Sequence, residues 1–169
     1  TKDLADEING LNQCLCIVNT RKHALKLYGL LKGEDIYHLS SLMCPKHRKE
    51  IIAEIKKKLH LGLPCRVVST SLIEAGVDVD FPIVYRAVSG LDSIIQAAGR
   101  CNREGKLKNK KGDNMLGEVH VFQAENEFAN YQPFGFKRQI EITNQILKKY
   151  EDISSPQAVK DYFTRLYFY

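Results

Sequence analysis

The chain has 169 residues, 44% of them hydrophobic, and 25 Lys and Arg against 20 Asp and Glu give it a net charge of +5. That length buries one proper core and holds a single domain. With no run of about 18 apolar residues and no signal-peptide arrangement at the amino end, membrane insertion and export are not expected, and a reducing cytoplasm is the expected home. The basic excess suits an anionic partner such as nucleic acid, and it equally suits ordinary solubility. Five cysteines, Cys14, Cys16, Cys44, Cys65 and Cys101, are odd in number and form no C-x-x-C pair. Neither a disulfide framework nor a zinc site is indicated.

In chain order, residues 14–19 read as a buried strand, 21–31 as an amphipathic helix, 36–39 as a second strand and 45–59 as a second helix. Pro45 fits the first helical turn, where its missing N–H is not needed. Short strands follow at 66–70 and 82–86, then a helix at 91–102 and another strand at 118–122. Strand and helix in alternation predict an α/β fold with a parallel sheet covered on both faces. Ligands bind such sheets at the carboxyl ends of the strands, where Asn19, Thr20, Ser40, Ser41, Thr70 and Ser71 fall. Residues 106–113, KLKNKKGD, read as a mobile loop or hairpin tip whose lysines are solvated or touch a phosphate backbone. Lys56, Lys57 and Lys58 read as a solvated helix side. Residues 126–133 form a turn-rich connection and 134–150 a long helix with apolar Phe136, Ile140, Ile142, Ile146 and Leu147. Ser155 and Pro156 are an N-cap and first-turn pair for a last helix. Its stripe of Ala158, Val159, Tyr162, Phe163, Leu166 and Tyr167 reads as core packing, with stacking on bases the other option. Ending on Tyr167-Phe168-Tyr169 without a polar closing segment, the chain reads as a piece of a longer protein.

On a helix over 91–102, Gln96, Gly99, Arg100 and Arg103 fall at i, i+3, i+4 and i+7 and share one face. Asp92 ahead of them reads as an N-cap. Two permanently charged forks and an amide, with a glycine for close approach, suit a polyphosphate; a solvated helix face with two exposed arginines is the plainer reading. Upstream lies Ser69-Thr70-Ser71-Leu72-Ile73-Glu74-Ala75-Gly76-Val77-Asp78. Together these stretches resemble motifs V and VI of superfamily 2 helicases, in their second RecA-like lobe. The wording LIEAGVDVDFP followed by YRAVSGLDSIIQAAGRCNREG is similar to the helicase part of the CRISPR-associated helicase-nuclease recruited by Cascade in type I systems. HLSSLMCPKHR, residues 38–48, is similar to that family's motif after the second strand. The three motifs cover roughly residues 14–105.

The resemblance implies a RecA-like parallel sheet sandwiched between helices over residues 1–124, with a helical extension of the same lobe over 125–169. It makes Arg100 and Arg103 arginine fingers on the γ-phosphate of ATP and sets Gln96 on the phosphates or the attacking water. Gly76 gives motif V its tight turn, Asp78 lies near the ribose, Gly99 opens the helix face, and Glu74 couples the cleft to the strand-binding groove. Taken without the motif, a turn glycine and a capping aspartate are everyday features. Asn19, Thr20, Ser40, Ser41, Arg48, Thr70 and Ser71 would grip a phosphate backbone without reading sequence. Ser71 stands where many members of the superfamily have Asp. The implied cofactors are ATP and Mg2+, bound mainly by a first lobe; the implied partners are single-stranded DNA, that first lobe, a nuclease domain and Cascade, with no membrane. The chain contains no G-x-x-x-x-G-K-[ST] loop and no Asp-Glu pair after a strand, so alone it is expected not to hydrolyse ATP. His23, His38, His47, His60 and His120 have no metal-ligand spacing, and His23 and His60 read as surface residues. Two other functions fit the same motifs: an RNA helicase of the DExH type and a noncatalytic interaction module.

Overall fold

The computed structural model describes residues 1–74, 76–109, 111–129 and 135–168. Strands β1 (Gln13–Ile17), β2 (Ile36–Leu39), β3 (Cys65–Ser69), β4 (Ile83–Ala87) and β5 (Glu118–Phe122) form one sheet in the order β2-β3-β1-β4-β5. All four pairings are parallel. Such strands read as near-continuous apolar runs because helices cover both faces, and the pleat sends alternate residues to each. Leu15, Ile17, Tyr37, Leu39, Val67 and Val84 meet Ile55 of α3 (Pro45–His60) and Ala97 of α4 (Leu91–Ala98) on one side. On the other, Cys14, Cys16, Val18, Val68 and Tyr85 meet α1 (Lys2–Asn9) and α2 (Arg21–Leu30) through Ala5, Ile8, Ala24 and Leu27. This is the expected α/β sheet between helices. The β5 rim is open: Val119 and Val121 remain exposed.

Several expectations need correction. Helix α1 was not foreseen, since its eight residues carry too short an apolar pattern to stand out. His23 is not a surface residue: it is 2% exposed, with its ring stacked on Phe128 at 4.2 Å and edge-on to Phe122 at 6.3 Å. His60 is exposed as expected. The N-cap of α4 is Gly90, and Asp92 sits inside the first turn, where a carboxylate favours the positive end of the helix. Helix α4 ends at Ala98 instead of 102. Lys58 is not merely solvated, since it pairs with Asp35 and lies over the Tyr37 ring.

Lys108 and Asn114 bridge antiparallel, which gives the lysine-rich loop the form of a hairpin; Lys110 lies outside the described residues. Of the expected 126–133 connection, Asn126–Ala129 is the short helix α5, and the remainder lies outside the described residues. Helices α6 (Phe136–Lys149) and α7 (Pro156–Phe168) pair with each other. Their Ile142, Ile146, Ala158 and Tyr162 close over Leu91 of α4. As the Ser-Pro pair predicts, Ser155 Oγ accepts from Ala158 N at 3.3 Å. A Cβ on Gly90 would stand 2.5 Å from Asp92 Oδ1 and 3.0 Å from Tyr162 Oη. All five cysteines are free. Among the described residues no helix is long and apolar enough to cross a membrane.

Candidate functional site

The arginine signature spans a helix end and a turn. Gln96 is exposed on α4, Gly99 is the C-cap, and Arg100 and Arg103 follow it. The helix stops because the chain turns to pair with the run into β4: Phe81 N donates to Arg100 O at 2.9 Å, and Asn102 N donates to Phe81 O at 2.9 Å. Asn102 takes φ +44, in the left-handed region that Asn tolerates better than most residues. Each arginine then has its own anchor. Arg100 Nη2 donates to Glu74 O at 2.7 Å, and Arg103 Nη1 lies 2.6 Å from Asp78 Oδ1. Asp80 closes the turn from below, accepting from Arg103 N at 2.7 Å and Glu104 N at 3.2 Å. Gly76, between Glu74 and Asp78, holds φ +75, and there only the backbone conformation requires glycine. Glu74, Gly76, Asp78, Gly99, Arg100 and Arg103 are thus brought into one neighbourhood by contacts across 25 or so residues of sequence.

The Glu74 carboxylate faces inward, toward a residue that the sequence reading missed. Arg86 of β4 is 1% exposed and Glu74 6%, with Arg86 Nε 2.8 Å from Glu74 Oε1 in a charge contact off the straight hydrogen-bond line. Burial pushes the Glu74 carboxyl above its ordinary value, with Arg86 and Ser93 pulling it back. Burial likewise lowers Arg86, opposed by Glu74. Removing one member of such a buried pair costs about 3–5 kcal/mol, because the other charge is left uncompensated. Arg86 Nη1 also donates to Asn19 Oδ1 at 2.6 Å and to Ala87 O at 2.8 Å. The signal that would have found it is a lone charge in the otherwise apolar strand IVYRA.

The residues expected to hold a nucleic-acid backbone gather at the carboxyl ends of β1, β2 and β3, but they are not equally available. Asn19 spends its amide inside, since Nδ2 donates to Val88 O at 2.8 Å and Oδ1 takes Arg86. Thr20 caps α2, accepting from His23 N at 3.2 Å. Ser40 and Thr70 are buried, Arg48 is half-buried, and Ser41 and Ser71 are exposed. A cleft of about 440 Å³ opens at the opposite, amino end of the sheet, lined by Asp78, Asp80, Lys56, His60, Glu104 and Lys106 among others. No group of three or more His, Cys, Asp or Glu among the described residues is placed to hold a metal.

A parallel β2-β3-β1-β4-β5 sheet between helix pairs, with an arginine turn anchored to the segment after β3, defines a RecA-like α/β fold. The chain belongs to the family described as CRISPR-associated nuclease/helicase Cas3, C-terminal, whose profile matches residues 11–106. It is similar to the CRISPR-associated nuclease/helicase Cas3 of Methanothermobacter thermautotrophicus, at 29% identity over 144 residues, 85% of this chain and 17% of that protein. In fold it is similar to the crystal structure of T. fusca Cas3-ADP, with a TM-score of 0.71, 23% identity, and 98% of this chain and 22% of that one covered. It is also similar to a chain of a structure described as a CRISPR RNA-guided surveillance complex, pre-nicking, at TM-score 0.69 and 24% identity, covering 95% of this chain and 22% of that one. The chain spans 16–21% of the length of the curated relatives it matches.

Proposed function

We propose that this chain is the second motor lobe of an ATP-driven single-stranded DNA translocase that acts with a nuclease in type I CRISPR interference. The observation that carries the reading is the arginine turn: two guanidiniums on one short segment, fixed by Glu74 O, Asp78 and Asp80. Arg100 and Arg103 supply positive charge where negative charge spreads over the transferred γ-phosphoryl group, and Gln96 orients the attacking water or a phosphate oxygen. Asp78 lies near the ribose once Arg103 turns to the phosphate, and Gly76 shapes the loop between them. On this reading the ATP phosphates and Mg2+ are held mainly by a first lobe, the sequence of this chain having no G-x-x-x-x-G-K-[ST] loop. Ser41, Ser71 and Arg48, backed by Thr20, Ser40, Thr70 and Asn19, contact the DNA backbone at the strand ends. Such contacts grip any sequence, which a translocase needs. ATP draws the lobes together through the fingers, and hydrolysis releases them, shifting this lobe's grip along the strand. On this reading the lobe covers residues 1–124 and its helical extension residues 125–169. Membership of the Cas3 C-terminal family and the likeness to a chain in a surveillance complex support Cascade as the partner.

The test is ATP turnover by the full-length parent with single-stranded DNA or RNA, beside its Arg103→Ala variant. DNA should stimulate turnover, and the variant should lose about 10³-fold or more. Stimulation mainly by RNA moves the protein to the DExH RNA helicases, and undiminished turnover in the variant overturns the finger assignment.

A further inference from the structure

We propose that Arg86 is a positioning residue that joins the strand-end loops to the arginine turn, so that nucleic acid in the groove is felt at the fingers. This role presupposes the motor reading and adds the link between the two halves of its site.

Those halves lie apart. The loops after β1, β2 and β3 stand at the carboxyl end of the sheet, whereas α4 starts at that end and runs back, leaving the arginine turn paired with Phe81 just before β4. Between them sits Arg86, the largest fully enclosed side chain among the described residues. Burying a charge is costly, so a guanidinium kept there needs partners that reward it. Its partners come from separate segments: Asn19 after β1 at 2.6 Å, Ala87 O on its own strand at 2.8 Å, and Glu74 after β3 at 2.8 Å. Asn19 ties onward to Val88 O, and the Glu74 carbonyl receives Arg100 at 2.7 Å. One unbroken polar path therefore runs from Asn19 through Arg86 and Glu74 to Arg100.

The geometry of a guanidinium matters here. Its rigid plane donates from Nη1 to Asn19 while Nε stays in charge contact with Glu74, so a shift of Asn19 turns the whole plane against Glu74; an ammonium is a point donor and links the two in no such way. The surroundings are close-packed and pass displacement on instead of absorbing it. Lying between two sites does not by itself establish coupling, so the role stands or falls on measured coupling.

The experiment uses the full-length parent carrying Arg86→Lys or Arg86→Met, and reads the ratio of ATP turnover at saturating single-stranded DNA to turnover without DNA. A purely structural role lowers the amount of folded enzyme, reduces both rates alike and leaves the ratio unchanged. The expected result is a fall of about tenfold in the ratio for both variants, the size of a typical coupling between sites. Lys, which keeps a charge opposite Glu74, should preserve more folded protein than Met without restoring the ratio, and it carries the test if the Met variant does not fold. A wild-type ratio in the Lys variant overturns the proposal. If the unaltered parent is not stimulated by DNA, or Arg103→Ala keeps full turnover, the motor reading itself has failed, a result distinct from an Arg86 variant that leaves a DNA-stimulated parent unaffected.

Discussion

His23 is the residue whose environment departs furthest from what its type suggests. Neither ring nitrogen has a hydrogen-bond partner among the described residues, and the ring is sandwiched in an aromatic setting with Phe122 and Phe128. Burial pushes its pKa down from 6.5 to about 4. The folded state therefore holds the neutral imidazole. Above pH 6.5 neither state is charged and the full stability is present; as pH falls from 6.5 toward 4, the unfolded chain takes a proton that the fold rejects, and stability drops. The expected loss between pH 7 and pH 5 is about 2 kcal/mol. It is checked by urea midpoints at the two pH values, and His23→Leu should remove that part of the dependence. From sequence, a histidine three residues into a helix after Thr20 looks like an ordinary surface position. What buries it is Phe128, more than a hundred residues on, and no local pattern carries that contact. Arg86 was legible in principle, because an apolar strand does not hold an unpaired charge, but only the fold names Glu74 and Asn19 as its partners.

Among the elements, the turn after α4 depends on one carboxylate. Asp80 accepts from two successive backbone N–H groups and so fixes the direction in which Arg103 leaves the chain. Asp80→Ala in the full-length parent should lower steady-state ATP turnover by between about 10- and 10²-fold, the range for misplacing a reacting group by about an ångström. Asp80→Asn, which keeps one acceptor oxygen, should lose less. The strands were legible to within a residue or two because a doubly covered parallel strand is a short apolar run with few alternatives, as Gln13–Ile17 shows. The end of α4 was not. Spacing alone carries Gln96, Gly99, Arg100 and Arg103 along one continuous helix face, whereas the bridge between Phe81 and Cys101 pulls the chain out of the helix after Ala98. The residues expected along one helix face stand instead at a helix end and the turn after it, where the arginines converge because residues 74, 78 and 80 reach them from the preceding segment.

For the whole molecule, the division of labour has a direct consequence in binding. In the proposed motor Arg100 and Arg103 address a phosphate held by another lobe, so the isolated 169-residue chain should bind ATP only in the millimolar range or weaker, about −4 kcal/mol, by calorimetry. Micromolar binding would mean that a nucleotide site is complete within this chain and would remove the need for a second lobe. The parallel sheet and its two helical layers followed from hydrophobic pattern alone, and the motor class followed from motif wording. The seating of α6 and α7 on α4 did not, because it joins Leu91 to Ile142, Ile146, Ala158 and Tyr162, far along the chain. Tyr162 is fully buried, and its hydroxyl stands 3.0 Å from where a Cβ at position 90 would be. The Asp92 carboxylate can swing aside from a methyl group there; the enclosed ring cannot. Gly90 and Tyr162 are a matched tooth and notch. A chimera that grafts another helical pair onto this lobe must bring a shorter tooth or keep the notch.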